Sequence, residues 1–154
     1  MHAWVDEHCW SATKHSYTFH AGTDELDAAV LLAARTGFLA GDDPRLASTV
    51  DAVRSELGAG GPLLYRYTGM AEEEGAFLAC SGWLIEALDA LGQREEAARL
   101  LDELVQHSTG TGLLTEQVDP DSGALLGNLP QALSHLAVIN AAARLGAARE
   151  PAPD

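Results

Sequence analysis

"GAFLACSGWLIEALDALGQREEAARLLDELVQH", residues 75–107, holds two kinds of helix back to back. Residues 75–92 are apolar on nearly every face, the pattern of a helix buried all round, and Gly92 is its stop. After the short link Gln93-Arg94, residues 94–107 place Ala97, Leu100, Leu101, Leu104 and Val105 on one face and charges on the other. A buried helix turned tightly into an amphipathic one is a helical hairpin, and the rest of the chain repeats it.

Upstream, Thr23 is placed to cap a helix whose first turn, "DELD", is acidic and suits the N-terminal dipole. That helix continues as "AAVLLAAR" with apolar residues all round and stops at Gly37. Asp43-Pro44 then supplies a cap and a first position, and Leu46, Val50, Val53 and Leu57 form one stripe. Downstream, "PQALSHLAVINAAARLG" (130–146) is apolar on most faces, with Pro130 in its first turn and Gly146 as its stop. Residues 2–10 hold the end of a sixth helix.

The buried helices end at Gly37, Gly92 and Gly146, about 55 residues apart, an interval that fits a repeat of two helices. The expected fold is therefore all-α: a helical-hairpin array of five to six helices, buried ones in an inner layer and amphipathic ones in an outer layer. One domain over residues 1–148 and a disordered tail over 149–154 follow from this reading.

Links from inner to outer helix are short, "FLAGDD" and "QR", whereas residues 11–22, 58–74 and 108–129 make long links from outer to inner. Alternating layers would gather all the long loops at one end, above the N-termini of the inner helices. Long ordered loops in a compact domain usually carry function. These hold aromatics (Tyr17, Phe19, Tyr65, Tyr67), the forked cation of Arg66 and several carboxylates, a set suited to a neutral polyol such as a sugar. Ordinary solvated linkers are the plainer alternative.

Bulk properties exclude other classes. The chain has 154 residues, 47% of them hydrophobic, and a net charge of -14, which argues against nucleic acid or an anionic membrane as partner. The longest apolar runs, near 28–34 and 136–143, fall short of the roughly 20 residues a bilayer requires. Met1 is followed by neither a basic start nor an apolar stretch, and Cys9 and Cys80 make no disulfide framework, so a cytoplasmic protein is expected. Phosphate-binding Gly-rich, GxSxG and HExxH motifs do not occur; neither a metal nor a cofactor is expected.

The order "GTDELDAAVLLAARTGFLAGDDPR", "YRYTG", "EEGAFLACSGWLIEALDALGQREEAARLLDELV", "GLLTEQVDP" and "SGALLGNLPQALSHLAVINAA" resembles the C-terminal half of the glucoamylase-like inverting glycoside hydrolases, a group of glucoamylases, glucodextranases and trehalases. The resemblance implies about half of an (α/α)6 toroid, with the active site at the end bearing the long loops. It implies that Glu116, in "TEQVDP", is the general base that activates water. In an inverting mechanism this carboxylate stands roughly 6.5 to 9.5 Å from a protonated partner. Gln117 would orient it, Ser134 in "LSH" would hydrogen-bond it, and Arg66 in "YRY" would grip glucose hydroxyls. Tyr67 and Glu74 would be further contacts with an α-glucoside or oligosaccharide.

The family's general acid lies in a Trp-Glu loop of the preceding half. Asp24, Glu25, Asp119 and Asp121 are available carboxylates, and none occupies that motif. Little or no hydrolase activity is expected of this chain alone, which reads as truncated. Half a ring would also expose the apolar flanks of its inner helices, to be covered by an upstream half-domain or a second copy. Two readings stand: part of an enzyme cleaving α-glucosidic bonds in maltooligosaccharide, dextrin or trehalose, or a non-catalytic helical remnant that binds glycans or protein.

Overall fold

The computed structural model describes residues 2–147, so the tail expected over 149–154 lies outside the described residues. A short helix α1 (His2–His8) leads into the two-residue strands β1 (Trp10–Ser11) and β2 (Ser16–Tyr17), which pair antiparallel. A 3₁₀ helix follows over Ala28–Ala33, then α2 (Pro44–Leu57) and a 3₁₀ turn over Met70–Glu72. Strand β3 (Ala76–Phe77) runs straight into α3 (Leu78–Ala90), and α4 (Arg94–Val105) follows. Strands β4 (Gln117–Val118) and β5 (Leu125–Leu126) form a hairpin beside β3, and α5 (Ala132–Ala147) comes last.

The layers alternate as the sequence implied. The 28–33 helix, α3 and α5 pack in succession as the inner row, while α2 lies over the first pair and α4 over the second. Helix α3 is buried from Leu78 to Gly82 and from Leu84 to Leu88. The stripe of α2 (Leu46, Val50, Val53, Leu57) is fully buried, each side chain gaining about 1.5 to 3 kcal/mol over exposure. Asp43 caps α2 by accepting the Arg45 N–H at 2.9 Å. On α4, Ala97, Leu100 and Leu104 are buried, but Val105, expected on the same face, is exposed at the helix's end.

The first inner helix differs from expectation. Thr23 does not cap it, and residues 23–26 are not helical. The cap is Asp27, whose side chain accepts the Ala29 N–H at 2.7 Å. The reason is tertiary: the Leu26 N–H goes to the Thr68 hydroxyl at 2.9 Å, the Leu26 carbonyl accepts the Thr68 N–H at 3.0 Å, and Asp27 bridges Tyr67. Backbone held extended in a bridge cannot also wind into a first helical turn. At the far end Pro130 stands two residues before α5, and Gly146 lies within α5 instead of stopping it.

Inner-helix C-termini share the end opposite the long loops. Arg144 near the end of α5 and Arg94 at the start of α4 both pair with Asp89 of α3, and Arg94 also donates to the Leu145 carbonyl. Helix α5 shows the exposed flank expected of a partial ring. Ser134, Ala137, Ala141 and Leu145, spaced three and four apart, are buried, whereas Leu133, Leu136 and Ile139 are 43%, 56% and 60% exposed. Among the described residues no helix is long and apolar enough to cross a membrane.

Candidate active site

Two of the long loops are copies of one design. In each, a Gly-containing turn is closed by backbone bonds: Ala59 N–H to the Leu63 carbonyl and Thr109 N–H to the Leu113 carbonyl, both at 2.9 Å. Each turn releases a buried leucine, Leu64 or Leu114, into the core. Two residues further on, a carbonyl takes an N–H at the head of an inner helix. The Arg66 carbonyl accepts from Ala28 at 2.9 Å, and the Glu116 carbonyl accepts from Leu78 at 3.1 Å. Arg66 and Glu116 thus hold the same place in consecutive units. The sequence carries the same repeat as "LLYRY" against "LLTEQ", each after a Gly-rich turn.

Each of these two side chains is held by a residue further along its own loop. The Arg66 guanidinium donates from Nη2 to Glu74 Oε1 at 2.6 Å and lies over the Tyr67 ring, 5.1 Å from its centroid. Tyr67 stacks on Phe19 with ring centroids 5.4 Å apart. The other Glu74 oxygen, Oε2, accepts from Gln117 Nε2 at 3.1 Å, which joins the two loops. Arg66, Glu74 and Gln117 therefore form one hydrogen-bonded chain with Tyr67 alongside.

Glu116 is held separately. Its Oε2 accepts the Asn128 side-chain amide at 2.7 Å and the Asn128 backbone N–H at 3.1 Å, and its own N–H donates to the Asn128 carbonyl at 2.9 Å. Gln117, on β4, reaches Glu74 and makes no hydrogen bond to Glu116 among the described residues. No hydrogen bond or ion pair joins Glu116 to Arg66 among the described residues. Nor does Ser134 bond Glu116: its hydroxyl is buried on the α5 face that meets α3, without a partner among the described residues.

Beside the chain lies an open polar cleft of about 340 Å³, walled by Tyr65, Glu73, Glu74, Gln117, Asp121 and Leu126 among others. Asp119 shapes its rim by accepting the Asp121 and Ser122 N–H groups, both at 2.9 Å, and those donors hold its carboxyl below the usual range. Asp27 is half-buried, and burial raises its carboxyl, against the pull of the Ala29 N–H and the Arg66 charge. Behind Glu116, the Leu114 N–H donates to His135 Nε2 at 3.2 Å and the Gln131 carbonyl lies 2.7 Å from Nδ1. These partners assign the proton to Nδ1. Sequence reasoning missed Asn128 and His135. Both sit in the quoted "GNLPQALSH", but only the hairpin shows what they face.

Comparison with known proteins bears on this arrangement. The profile of the glycosyl hydrolases family 15 matches residues 2–143. A trehalase of Mycolicibacterium smegmatis is 43% identical over 137 residues, covering 85% of this chain and 20% of that protein. A trehalase of Mycobacterium tuberculosis is 42% identical over 142 residues, covering 88% and 21%. One from Thermoplasma volcanium is 35% identical over 134 residues, covering 85% and 22%. The chain thus spans about a fifth of the length of the curated relatives it matches. Among solved structures, a wild-type glycosidase superposes with a TM-score of 0.81 at 22% identity, over 94% of this chain and 42% of that one. A glycosidase variant in complex with glucose gives 0.82 at 21% identity over the same shares. At these identities the likeness speaks to fold: a segment of an (α/α)6 toroid.

Proposed function

The chain belongs to the glycosyl hydrolases of family 15, and from that premise we propose that it forms the base-bearing part of an inverting hydrolase of α-glucosides such as maltooligosaccharide, dextrin or trehalose. Glu116 is the general base. It takes a proton from water as the water oxygen attacks the anomeric carbon, while the leaving oxygen receives a proton from a carboxylic acid elsewhere in the ring. Arg66, Glu74 and Gln117 hold sugar hydroxyls, and Tyr67, stacked on Phe19, supports the Arg66 guanidinium beside them.

What supports the reading is the position of Glu116: its carbonyl is bonded to the head of inner helix α3, its carboxylate is pinned, and the next residue closes the Arg66–Glu74 chain. The remaining inner positions come from protein outside these residues, an upstream half-domain or a second copy. Of these two only an upstream half-domain would bring the acid, because a second copy repeats the same carboxylates. The docking places are the exposed flank of α5 and an apolar groove by Val5, Ala29, Val30, Ala33 and Phe38 at the other edge of the inner row.

The test combines the chain with the remaining portion of the M. smegmatis relative and follows glucose release from trehalose. Glu116→Gln should lower the rate about 10²- to 10⁴-fold, the range for removing a general acid or base. Equal rates would remove Glu116 as the base. A folded, assembled complex with no activity would remove the enzyme reading in favour of a binding remnant.

A further inference from the structure

We infer that Asn128 is the positioning residue for Glu116, committing Oε2 to the protein and leaving Oε1 as the oxygen that receives the water proton; this rests on the reading of Glu116 as the base. An ionised carboxylate only accepts hydrogen bonds, so the Asn128 amide must turn its nitrogen toward it. Both donors of Asn128, the side-chain Nδ2 at 2.7 Å and the backbone N–H at 3.1 Å, converge on the same oxygen. Oε1 makes no hydrogen bond among the described residues.

The backbone brings the two residues together. Glu116 and Asn128 also share the bond from the Glu116 N–H to the Asn128 carbonyl at 2.9 Å, and the Thr115 hydroxyl donates to the Leu126 carbonyl at 2.5 Å. The β4–β5 hairpin lies between them: Gln117 pairs with Leu126 and Val118 with Leu125, which brings Gly127 level with Glu116 and Asn128 just beyond it. Gly127 allows the approach. A Cβ there would lie 2.8 Å from Glu116 Oε2 and 2.9 Å from its Cβ. The length of this third loop thus has a physical purpose, which is to return a donor to the carboxylate.

The preceding unit supports the same logic with the charges exchanged. Arg66, at the place equivalent to Glu116, is held by Glu74 from the later part of its own loop. In both units the loop presents one functional side chain at the head of an inner helix and then supplies the group that fixes it. A fixed base matters because a small misplacement of a reacting group lowers rate without weakening substrate binding.

The experiment has two arms. In the full chain alone, NMR follows the Asn128 side-chain amide protons on Glu116→Gln; they should shift, and unchanged resonances would mean the contact is absent and overturn the inference. In the reconstituted complex, Asn128→Ala should lower kcat about 10- to 100-fold with KM and Tm unchanged, the expected size for one hydrogen bond to a charged group. Asn128→Ser, which keeps a short donor, should recover part of the loss. If Glu116→Gln abolishes turnover while both Asn128 variants match the unaltered chain, the positioning role fails and the base survives. If Glu116→Gln is itself as active as the unaltered complex, or the assembled complex is inactive, the base reading fails and this inference with it.

Discussion

Gly82 of α3 lies so close to Ala137 of α5 that a Cβ at position 82 would fall 2.7 Å from the Ala137 Cβ and 3.0 Å from its carbonyl carbon. Two inner helices touch here backbone to backbone, and no flexible side-chain end is available to yield. Gly82→Val should force them apart and cost about 1 to 3 kcal/mol, the usual penalty of overpacking. For a domain of this size that is a fall in Tm of about 2 to 4 °C per kcal/mol, measured by calorimetry. An unchanged Tm would mean that the helices do not meet at this point.

Glu86 is a second test of the inner row. Its side chain is 4% exposed and faces Arg35 at 3.6 Å, with the Arg144 charge nearby. Burial raises its carboxyl more than the two arginines lower it, so the folded value lies above the ordinary 4.5. A raised folded value means that protonation stabilises the fold. The contribution is full below the unfolded value and is lost as pH rises through the folded one. Glu86→Gln, which mimics the protonated form, should be at least as stable as the unaltered chain at pH 7. Its advantage should vanish below the ordinary carboxylate range. Urea denaturation at neutral and acid pH reads this directly, and a less stable Gln variant at pH 7 would show that the arginine pairing outweighs burial.

The flank of α5 gives the third prediction. Leu136 and Ile139 are more than half exposed, so replacing them removes little buried area within the chain. Leu136→Lys with Ile139→Glu should change the chain's stability by no more than about 0.5 kcal/mol per site, as for other surface substitutions. The same pair should reduce self-association in light scattering and weaken assembly with the rest of a ring. A drop of many degrees in Tm would show that this face is already covered within the chain.

How far the residues alone reach is clear from particular elements. Helices α2 and α4 were legible because their apolar stripes keep helical spacing and because Asp43-Pro44 and the Gly92 turn mark their starts. Gly92 does stop its element, directly after the Leu91 C-cap of α3, with φ of +77°, where other residues are strained. Gly37, with φ of +72°, instead closes the turn three residues past the Ala34 cap of the 28–33 helix. The first inner helix misled because "DELD" is good N-terminal helix sequence. Its backbone donors and acceptors are instead taken by Thr68 and Arg66, some 40 residues away, and no local pattern reports that. Arg66, Glu74 and Gln117 were named from the resemblance, and the structure joins them into one chain. The Ser134 hydroxyl is buried and makes no hydrogen bond among the described residues, and the side chain that donates to Glu116 is Asn128. The two-residue strands β4 and β5 are too short to announce themselves by alternation, so the hairpin that decides the surroundings of Glu116 was not foreseen.

That hairpin supplies the last prediction. Gly127 has φ of +71°, in the left-handed region, where a residue with a Cβ is strained by about 1 to 2 kcal/mol. The strain is the smaller part of the effect. A methyl group at 127 would also press on the Glu116 carboxylate and its Cβ, both under 3.0 Å away, and backbone bonds on either side leave it little room to retreat. The carboxylate is the movable group, so Gly127→Ala should swing it off the Asn128 amide while the hairpin stays paired. A crystal structure of the variant should show β4 and β5 intact and Glu116 Oε2 displaced beyond hydrogen-bond distance of Asn128 Nδ2. Strain alone would give a different picture, with lower Tm, a re-formed turn and the 2.7 Å contact retained. That second result would mean the glycine serves only the turn and is not needed to admit the carboxylate.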